Sequence, residues 1–350
     1  MSEPTILLLS AYRADSHGAW ADWLVRGNPQ VRWQRLELPG RHFRWRIRGN
    51  ALSWLDRLPE DAPDRVLATS MVDLATLRGL HPRLATVPAW YYFHENQFAY
   101  PVSERQHGSV DPQMVQLYGA LAAERVLFNS AFNRDSFLDG VEALLARMPD
   151  QVPLGVRERI EARSQVLPVP VKPLNPQPDK DPKLILWNHR WEYDKDPELF
   201  AGAMIELAER GVDFRLALLG QRPARGAPAL ERLRASLRGR IVADGRVAED
   251  RYRELLGLAG IVVSTARHEF QGLAVLEAAS AGARPLVPDA LCYPEQYSLQ
   301  YRYHAGDQEA LVTRLQQWLT VELPEPADVS PWCGEDLPAR WARLLSAAQE

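Results

Sequence analysis

Short apolar runs with little polar alternation recur along the chain, each followed by a stretch whose apolar residues fall three or four apart. Runs of this kind suit strands of a parallel sheet covered by helices, because such strands have no solvent face. The first, Thr5–Ser10, is followed by runs at Arg65–Thr69, Pro88–Phe93 and Arg125–Asn129. Helix-period stretches lie at His17–Arg26, Asp73–Leu80, Pro112–Ala122 and Ser130–Ala146. Between Pro168 and Pro182 six prolines occur in 15 residues, which removes backbone donors and holds the chain extended. The pattern places a domain boundary there. Beyond it the alternation restarts, with strands at Lys183–Trp187, Phe214–Leu219, Arg240–Asp244, Ile261–Ser264 and Arg284–Val287, and helices at Pro197–Arg210, Ala227–Ser236, Glu249–Leu258 and Gly272–Ala281. An amphipathic helix at Leu337–Ala348 closes the chain. The expectation is an α/β protein with two Rossmann-like domains, residues 1–170 and 183–334, and a terminal helix, 335–350, packing back on the first.

Composition adds limits. With 350 residues, 46% of them hydrophobic and 25% charged, the chain can bury two ordinary cores. Cys292 and Cys333 have no metal-ligand spacing and form no disulfide framework. The apolar run Ile6–Leu9 is far shorter than the roughly 20 residues of a membrane span, so a cytoplasmic location is expected. The net charge of −4 argues against a generic affinity for nucleic acid. That average hides an asymmetry: from Arg26 to Arg57 eight arginines face two acids, giving this segment +6 and the remainder −10.

Ligands of open α/β sheets bind beyond the carboxyl ends of the strands, which directs attention to three turns. The first is Asn188–Lys195, after Lys183–Trp187, where Arg190 and Lys195 can both reach a diphosphate beside a helix N-terminus. Asp194-Lys195-Asp196 and Asp179-Lys180-Asp181 match the Asp-x-Asp pattern of metal-dependent enzymes, but one has a lysine between its acids at the phosphate turn and the other lies in the proline segment. No metal is expected. The second turn, His268–Glu277, follows Ile261–Ser264; Glu269 and Glu277 stand eight apart and Gly272 permits close backbone approach. The third, Phe93–Pro101, follows Pro88–Phe93 and packs His94, Glu95, Asn96 and Gln97 among aromatics, a polar run that needs a ligand or an internal network if buried.

Arg190 and Lys195, followed by Glu269-x7-Glu277 and by Ala278–Pro285, resemble the family 4 retaining glycosyltransferases over nearly all of the second domain. That resemblance implies the GT-B fold, two Rossmann-like domains facing across a donor/acceptor cleft. It implies that Arg190 and Lys195 hold the donor diphosphate, Glu269 engages the sugar and Glu277 the ribose. Donor contacts would also come from Phe270, Gln271, Gly272 and Leu273, and from Gly245, Arg246 and Val247 at the turn resembling the family's base-contacting loop. Leaving-group charge would be met by positioned cations rather than by a metal or cofactor.

The runs Asp15-Ser16-His17, His42–Arg46, Phe93–Pro101, Trp187–Glu192 and Ser264–Phe270 resemble, more closely, the tRNA-queuosine mannosyltransferase family across the whole chain. The implied reaction moves mannose from GDP-mannose to the cyclopentenediol of queuosine in the anticodon of tRNA(Asp), with retention. Its partners would be queuosine-containing tRNA and the nucleotide sugar, with no membrane. The acceptor side would be formed by Ser16, His17, His94, Glu95 and Asn96 with the basic residues Arg41, Arg44, Arg46 and Arg48 around Trp45; His94 joins Glu269, Arg190 and Lys195 as a catalytic candidate. Arginines interleaved with aromatics suit RNA. The same segment also reads as a solvated basic face whose Phe43, Trp45 and Ile47 alternate inward as a strand, and the two readings are compatible. Where the family pattern leads us to expect Gly-Gly before Ser16, this chain has Ala14-Asp15, an acid near donor phosphates. With no second carboxylate assignable as a nucleophile, front-face substitution is favoured over a covalent intermediate. A transferase with another donor or acceptor, and a non-catalytic tRNA-binding module, are the rival readings; the intact donor motif speaks against the latter.

Overall fold

A computed structural model describes residues 3–100, 109–222 and 227–346. Pro101, at the end of the polar run, and Ala347–Ala348 of the expected closing helix lie outside the described residues. The chain divides into two compact units, residues 1–169 with 335–350, and residues 170–334.

The first unit is a six-stranded parallel sheet in the order β2-β1-β3-β4-β5-β6, with β1 Thr5–Arg13, β2 Arg32–Pro39, β3 Arg65–Thr69, β4 Ala89–Phe93, β5 Arg125–Phe128 and β6 Ser164–Val166. Its helices are α1 Asp15–Gly27, α2 Phe43–Ser53, α3 Leu74–Leu80, α4 Asp111–Ala122, α5 Ala131–Leu145 and α6 Val156–Glu161. Strands β3 and β4 are buried at every position, as the apolar runs Val66–Ala68 and Ala89–Phe93 require. Strand β2 carries no such signal: it is an edge strand, half-buried along most of its length, whose Arg35 is paired with Asp22 and Glu37. The pattern also assigns nothing to β6 and α6.

The largest departure is at Arg41–Arg48, where one reading of the alternation is an inward-facing strand and a helix, α2, is found. Ile47, Ala51 and Trp54 fall on one helical face and are buried, with Phe43 half-buried at the same spacing. Asn50 fastens this helix from inside, donating to the Met71 carbonyl at 3.1 Å and accepting from the Asp73 amide at 3.0 Å.

The second unit is a parallel sheet in the order β12-β11-β10-β7-β8-β9, formed by β7 Asp181–Trp187, β8 Arg215–Leu218, β9 Ile241–Asp244, β10 Ala259–Val263, β11 Arg284–Pro288 and the short β12 Arg302–Tyr303. It carries α7 Pro197–Glu209, α8 Pro228–Leu237, α9 Glu249–Leu258, α10 Leu273–Ser280, α11 Gln308–Thr320 and α12 Ser330–Cys333; the pattern assigns no element to α11 or α12. Strand order reverses between β7 and β10 here, and between β1 and β3 in the first unit, so the loops after these strands are where each half should bind.

Residues 170–182, expected as a free linker, pack on the second unit. Lys180 Nζ donates to the carbonyls of Gly257 and Ala259 at 2.7 and 2.8 Å, closing the end of α9. β7 starts two residues before the expected Lys183, and Pro182 is accommodated because the β7–β10 register shifts between Ala259 and Ile261.

The closing helix, α13 Asp336–Ser346, belongs to the first unit. The Trp341 indole donates to the Pro168 carbonyl at 3.0 Å, and its ring lies 5.7 Å from Trp20 and 5.1 Å from Tyr92. Trp341→Ala should therefore destabilise the first unit by about 3–5 kcal/mol. An unchanged thermal unfolding midpoint would show that α13 is dispensable.

Candidate active site

In the second unit, the loops after β7 and β10 are laced together at the strand-order reversal. The Arg267 amide donates to the Asp194 carbonyl at 2.8 Å, and the Thr265 hydroxyl donates to the Lys195 and Asp196 carbonyls at 2.7 and 3.1 Å. Lys195 is buried, its ammonium 3.1 Å from Glu269 Oε2, 3.3 Å from Asp194 Oδ2 and 2.7 Å from the His268 carbonyl. Burial alone would push the Glu269 carboxyl up, yet Lys195, with His189 and the Gly272 amide, outweighs it and holds the group at about 2. Burial likewise opposes the charge on Lys195, and Glu269 with Asp194 reverses this, raising it above the ordinary lysine value. The Phe270 amide donates to Glu269 Oε1 at 3.0 Å. Since the side chains of Phe270 and Gln271 are buried, these two residues shape the Glu269 loop instead of presenting side chains to a ligand.

Arg190 sits beside this pair, half-exposed, with Glu192 at 3.2 Å and Asp194 at 3.8 Å. Lys195 is fixed and desolvated, whereas Arg190 reaches from the surface, so the two expected diphosphate cations differ in kind. His189 and His268 flank the cluster; burial first, then Lys195, lowers each to about 4, leaving them neutral at physiological pH. The acids of the first Asp-x-Asp motif are both engaged, and in the second Asp181 is engaged while Asp179 is exposed. Asp194 faces Lys195, Asp196 caps α7 at the Leu199 amide and pairs with Arg267 at 2.6 Å, and Asp181 pairs with Arg215 at 2.5 Å. Among the described residues no group of three His, Cys, Asp or Glu is arranged to hold a metal ion.

Gly272 opens α10 at φ 68°, a conformation that glycine adopts without strain, and a Cβ there would stand 3.0 Å from the Tyr293 ring. Leu273 follows, half-exposed. Glu277, one turn further, accepts a 3.0 Å hydrogen bond from the Tyr252 hydroxyl. The turn after β9 places Gly245 at φ 100° with its amide bonded to the Leu218 carbonyl at 2.7 Å, leaving Arg246 exposed and Val247 half-buried. Three contributors escaped the sequence reading. Gly220 lies so close to the His189 carbonyl that no Cβ fits, Asn188 bonds the Ala274 carbonyl at 2.9 Å, and Tyr252 holds Glu277. Only Gly220, just after an apolar run, carried a usable signal.

In the first unit, the loops after β1 and β4 bring His17 and His94 together, stacked at 4.3 Å. Trp20 and Tyr92 meet His94 edge-on, each at 4.7 Å. Burial, with a smaller contribution from His17, holds His94 well below the ordinary histidine value, and its Nε2 has no hydrogen-bond partner among the described residues. Ser16 is exposed. Asp15, in place of the expected glycine, is exposed in the first turn of α1, where a helix N-terminus favours an acid.

The polar run after His94 divides in two. Asn96 is fully buried; its amide donates to Asn133 and Ser136 at 2.9–3.1 Å and accepts from the Phe98 and Ala99 amides. Its side chain is therefore taken up by an internal network and is not an acceptor contact. Glu95 stays half-exposed. On α2, Arg44 and Trp45 lie on the exposed side, Trp45 at 52%, with Arg41 exposed just before the helix. Arg48, also exposed, spends its charge on buried Asp73 at 2.7 Å, and Arg46 turns back to the Pro39 carbonyl.

The Lys195–Glu269 pair carries a pH signature. Because the folded Glu269 value is depressed, its contribution to stability is full above its unfolded value near 4.5 and is lost as pH falls through about 2. Lys195→Met should destabilise the second unit by about 3–5 kcal/mol at neutral pH, since it strands two buried carboxylates. That deficit should shrink on acidification, as the stranded acids take up protons; a pH-independent deficit, measured by denaturant unfolding, would refute the coupling.

Residues 5–171 match the family model described as tRNA-queuosine alpha-mannosyltransferase N-terminal, and residues 182–320 match that of glycosyl transferases group 1. A tRNA-queuosine alpha-mannosyltransferase of Drosophila melanogaster is 36% identical over 324 residues, which cover 87% of this chain and 85% of the relative. Among solved structures, Anabaena Alr3699/HepE in complex with UDP-glucose has a TM-score of 0.69 at 12% identity, covering 98% of this chain and 100% of that one. Sucrose-phosphate synthase from Thermosynechococcus elongatus has a TM-score of 0.68 at 14% identity, covering 99% and 94%. At such identities the structures speak for the fold, the two Rossmann-like halves of the GT-B glycosyltransferases. The relative's identity and coverage, together with the N-terminal match, place this chain in the tRNA-queuosine alpha-mannosyltransferase family.

Proposed function

We propose that this chain transfers mannose from GDP-mannose to the cyclopentenediol of queuosine in tRNA(Asp), with retention of configuration and in the cytoplasm. The observation that carries this reading is the buried Lys195–Glu269 pair in a chain 36% identical to a tRNA-queuosine alpha-mannosyltransferase. Lys195 and Arg190 meet the donor diphosphate, supplying the charge compensation that a metal supplies elsewhere. Glu269, ionised and aimed by backbone amides, takes sugar hydroxyls; Glu277 takes the ribose. The bond between the anomeric carbon and the phosphate oxygen breaks with its electron pair leaving on the diphosphate. An acceptor hydroxyl bonds to the same face of that carbon and passes its proton to the departing phosphate oxygen. The His94–His17 stack, with His94 kept neutral by burial, serves the acceptor side. No helix among the described residues is long and apolar enough to cross a membrane, in keeping with a nucleic-acid acceptor.

RNA contact falls to Arg41, Arg44 and Trp45, whose groups are exposed and enter no ion pair among the described residues. Mass spectrometry of nucleosides from queuosine-containing tRNA, incubated with the protein and GDP-mannose, should reveal queuosine carrying one added hexose. No hexosylated queuosine, with GDP still bound, would overturn the acceptor or the sugar. Arg44→Ala with Trp45→Ala should weaken tRNA binding roughly tenfold and reduce its salt slope by about 1, leaving GDP affinity unchanged; an unaltered slope would remove α2 from the interface.

A further inference from the structure

Glu277 is held from outside the helix that carries it. Tyr252 lies on α9 three and four residues before Leu255 and Leu256, so the helical period turns all three toward the same side. Its hydroxyl donates to Glu277 Oε2 at 3.0 Å and accepts from Asn188 Nδ2 at 3.3 Å. The orientation of the Asn188 amide follows from its second contact, the Ala274 carbonyl at 2.9 Å, which can only accept. An NH2 group can only donate, so the single Tyr252 proton is committed to the carboxylate. Asn188 also stands at the end of β7, two residues before Arg190, and bonds a carbonyl in α10. One short chain of hydrogen bonds thus ties the diphosphate loop to the helix bearing Glu277.

The ionisation of these groups fits that direction of donation. Burial, and then the neighbouring Glu277, push the Tyr252 hydroxyl well above the ordinary tyrosine value, so it remains a donor at any physiological pH. Burial also raises Glu277, favouring its neutral form, and the Tyr252 hydrogen bond opposes that rise.

We propose that Tyr252, oriented by Asn188, is a positioning residue that keeps Glu277 ionised and aimed at the ribose hydroxyls of the nucleotide. The inference rests on reading Glu277 as the ribose-binding group, and the test separates the two. Calorimetric titration of GDP and of 2′,3′-dideoxy-GDP into wild type, Tyr252→Phe and Glu277→Gln, over pH 5 to 8, reads both claims. Tyr252→Phe keeps the ring and should weaken GDP about tenfold, the loss of one hydrogen bond to a charged group, while leaving the dideoxy analogue nearly unchanged. Its loss of GDP affinity on the acid side should begin at higher pH than in wild type, because burial of Glu277 is then opposed by the Arg253 charge alone. Unchanged GDP affinity, or equal losses for both nucleotides, would overturn the positioning role if Glu277→Gln weakens GDP and spares the dideoxy analogue. If Glu277→Gln weakens both nucleotides equally, the ribose assignment itself fails and the inference falls with it.

Discussion

An ammonium group buried between two carboxylates, Lys195 with Asp194 and Glu269, is the constraint on which the second half of this protein turns. Each partner alone is unfavourable in that position, because burial opposes charge on all of them. Together they stay ionised, with Glu269 held near 2. The pairing is possible because the sheet order reverses between β7 and β10, leaving the ends of adjacent strands to send their loops to opposite sides. The Thr265 hydroxyl and the Arg267 amide then tie one loop to the carbonyls of the other, so the ion pair sits in a frame that cannot relax independently.

The first unit solves a different problem with different groups. Its buried pair is His17 on His94, and what surrounds them is aromatic: Trp20, Tyr92 and, through these, Trp341 of the closing helix. Desolvation keeps His94 neutral, where in the second unit ion pairing keeps Glu269 charged. Asn96 completes the contrast, since its amide orders the loop after β4 from within. The dense polar run that looked like a binding loop is therefore in part scaffold, with Glu95 remaining at the surface.

The basic segment shows how a period can mislead. Arginines and aromatics alternate from Arg41 to Arg48, and over so few residues a two-residue period mimics a strand. The buried set Ile47, Ala51 and Trp54 extends past that window and has helical spacing. The arginines then separate by environment. Arg35 and Arg48 neutralise acids of their own domain, while Arg41 and Arg44 remain exposed with the Trp45 ring. Net charge of the segment overstates what a phosphate backbone would meet.

Sequence by itself determined most strands and most helices, because burial on both sheet faces demands largely apolar runs. It also marked Arg190, Lys195, Glu269, Gly272 and Glu277, since their spacing reflects two strand-to-helix turns that are local in the chain. Only the tertiary structure decided what depends on distant partners. Tyr252 reaches Glu277 across 25 positions and Asn188 reaches Tyr252 across 64, Gly220 is required by a carbonyl 31 residues earlier, and Lys195 is buried only because the loop after β10 closes over it. Edge strand β2 and helix α2 belong to the same class, being held by charges and side-chain amides whose partners lie elsewhere in the chain. Local periodicity records the face a residue turns inward. It does not record which group waits there.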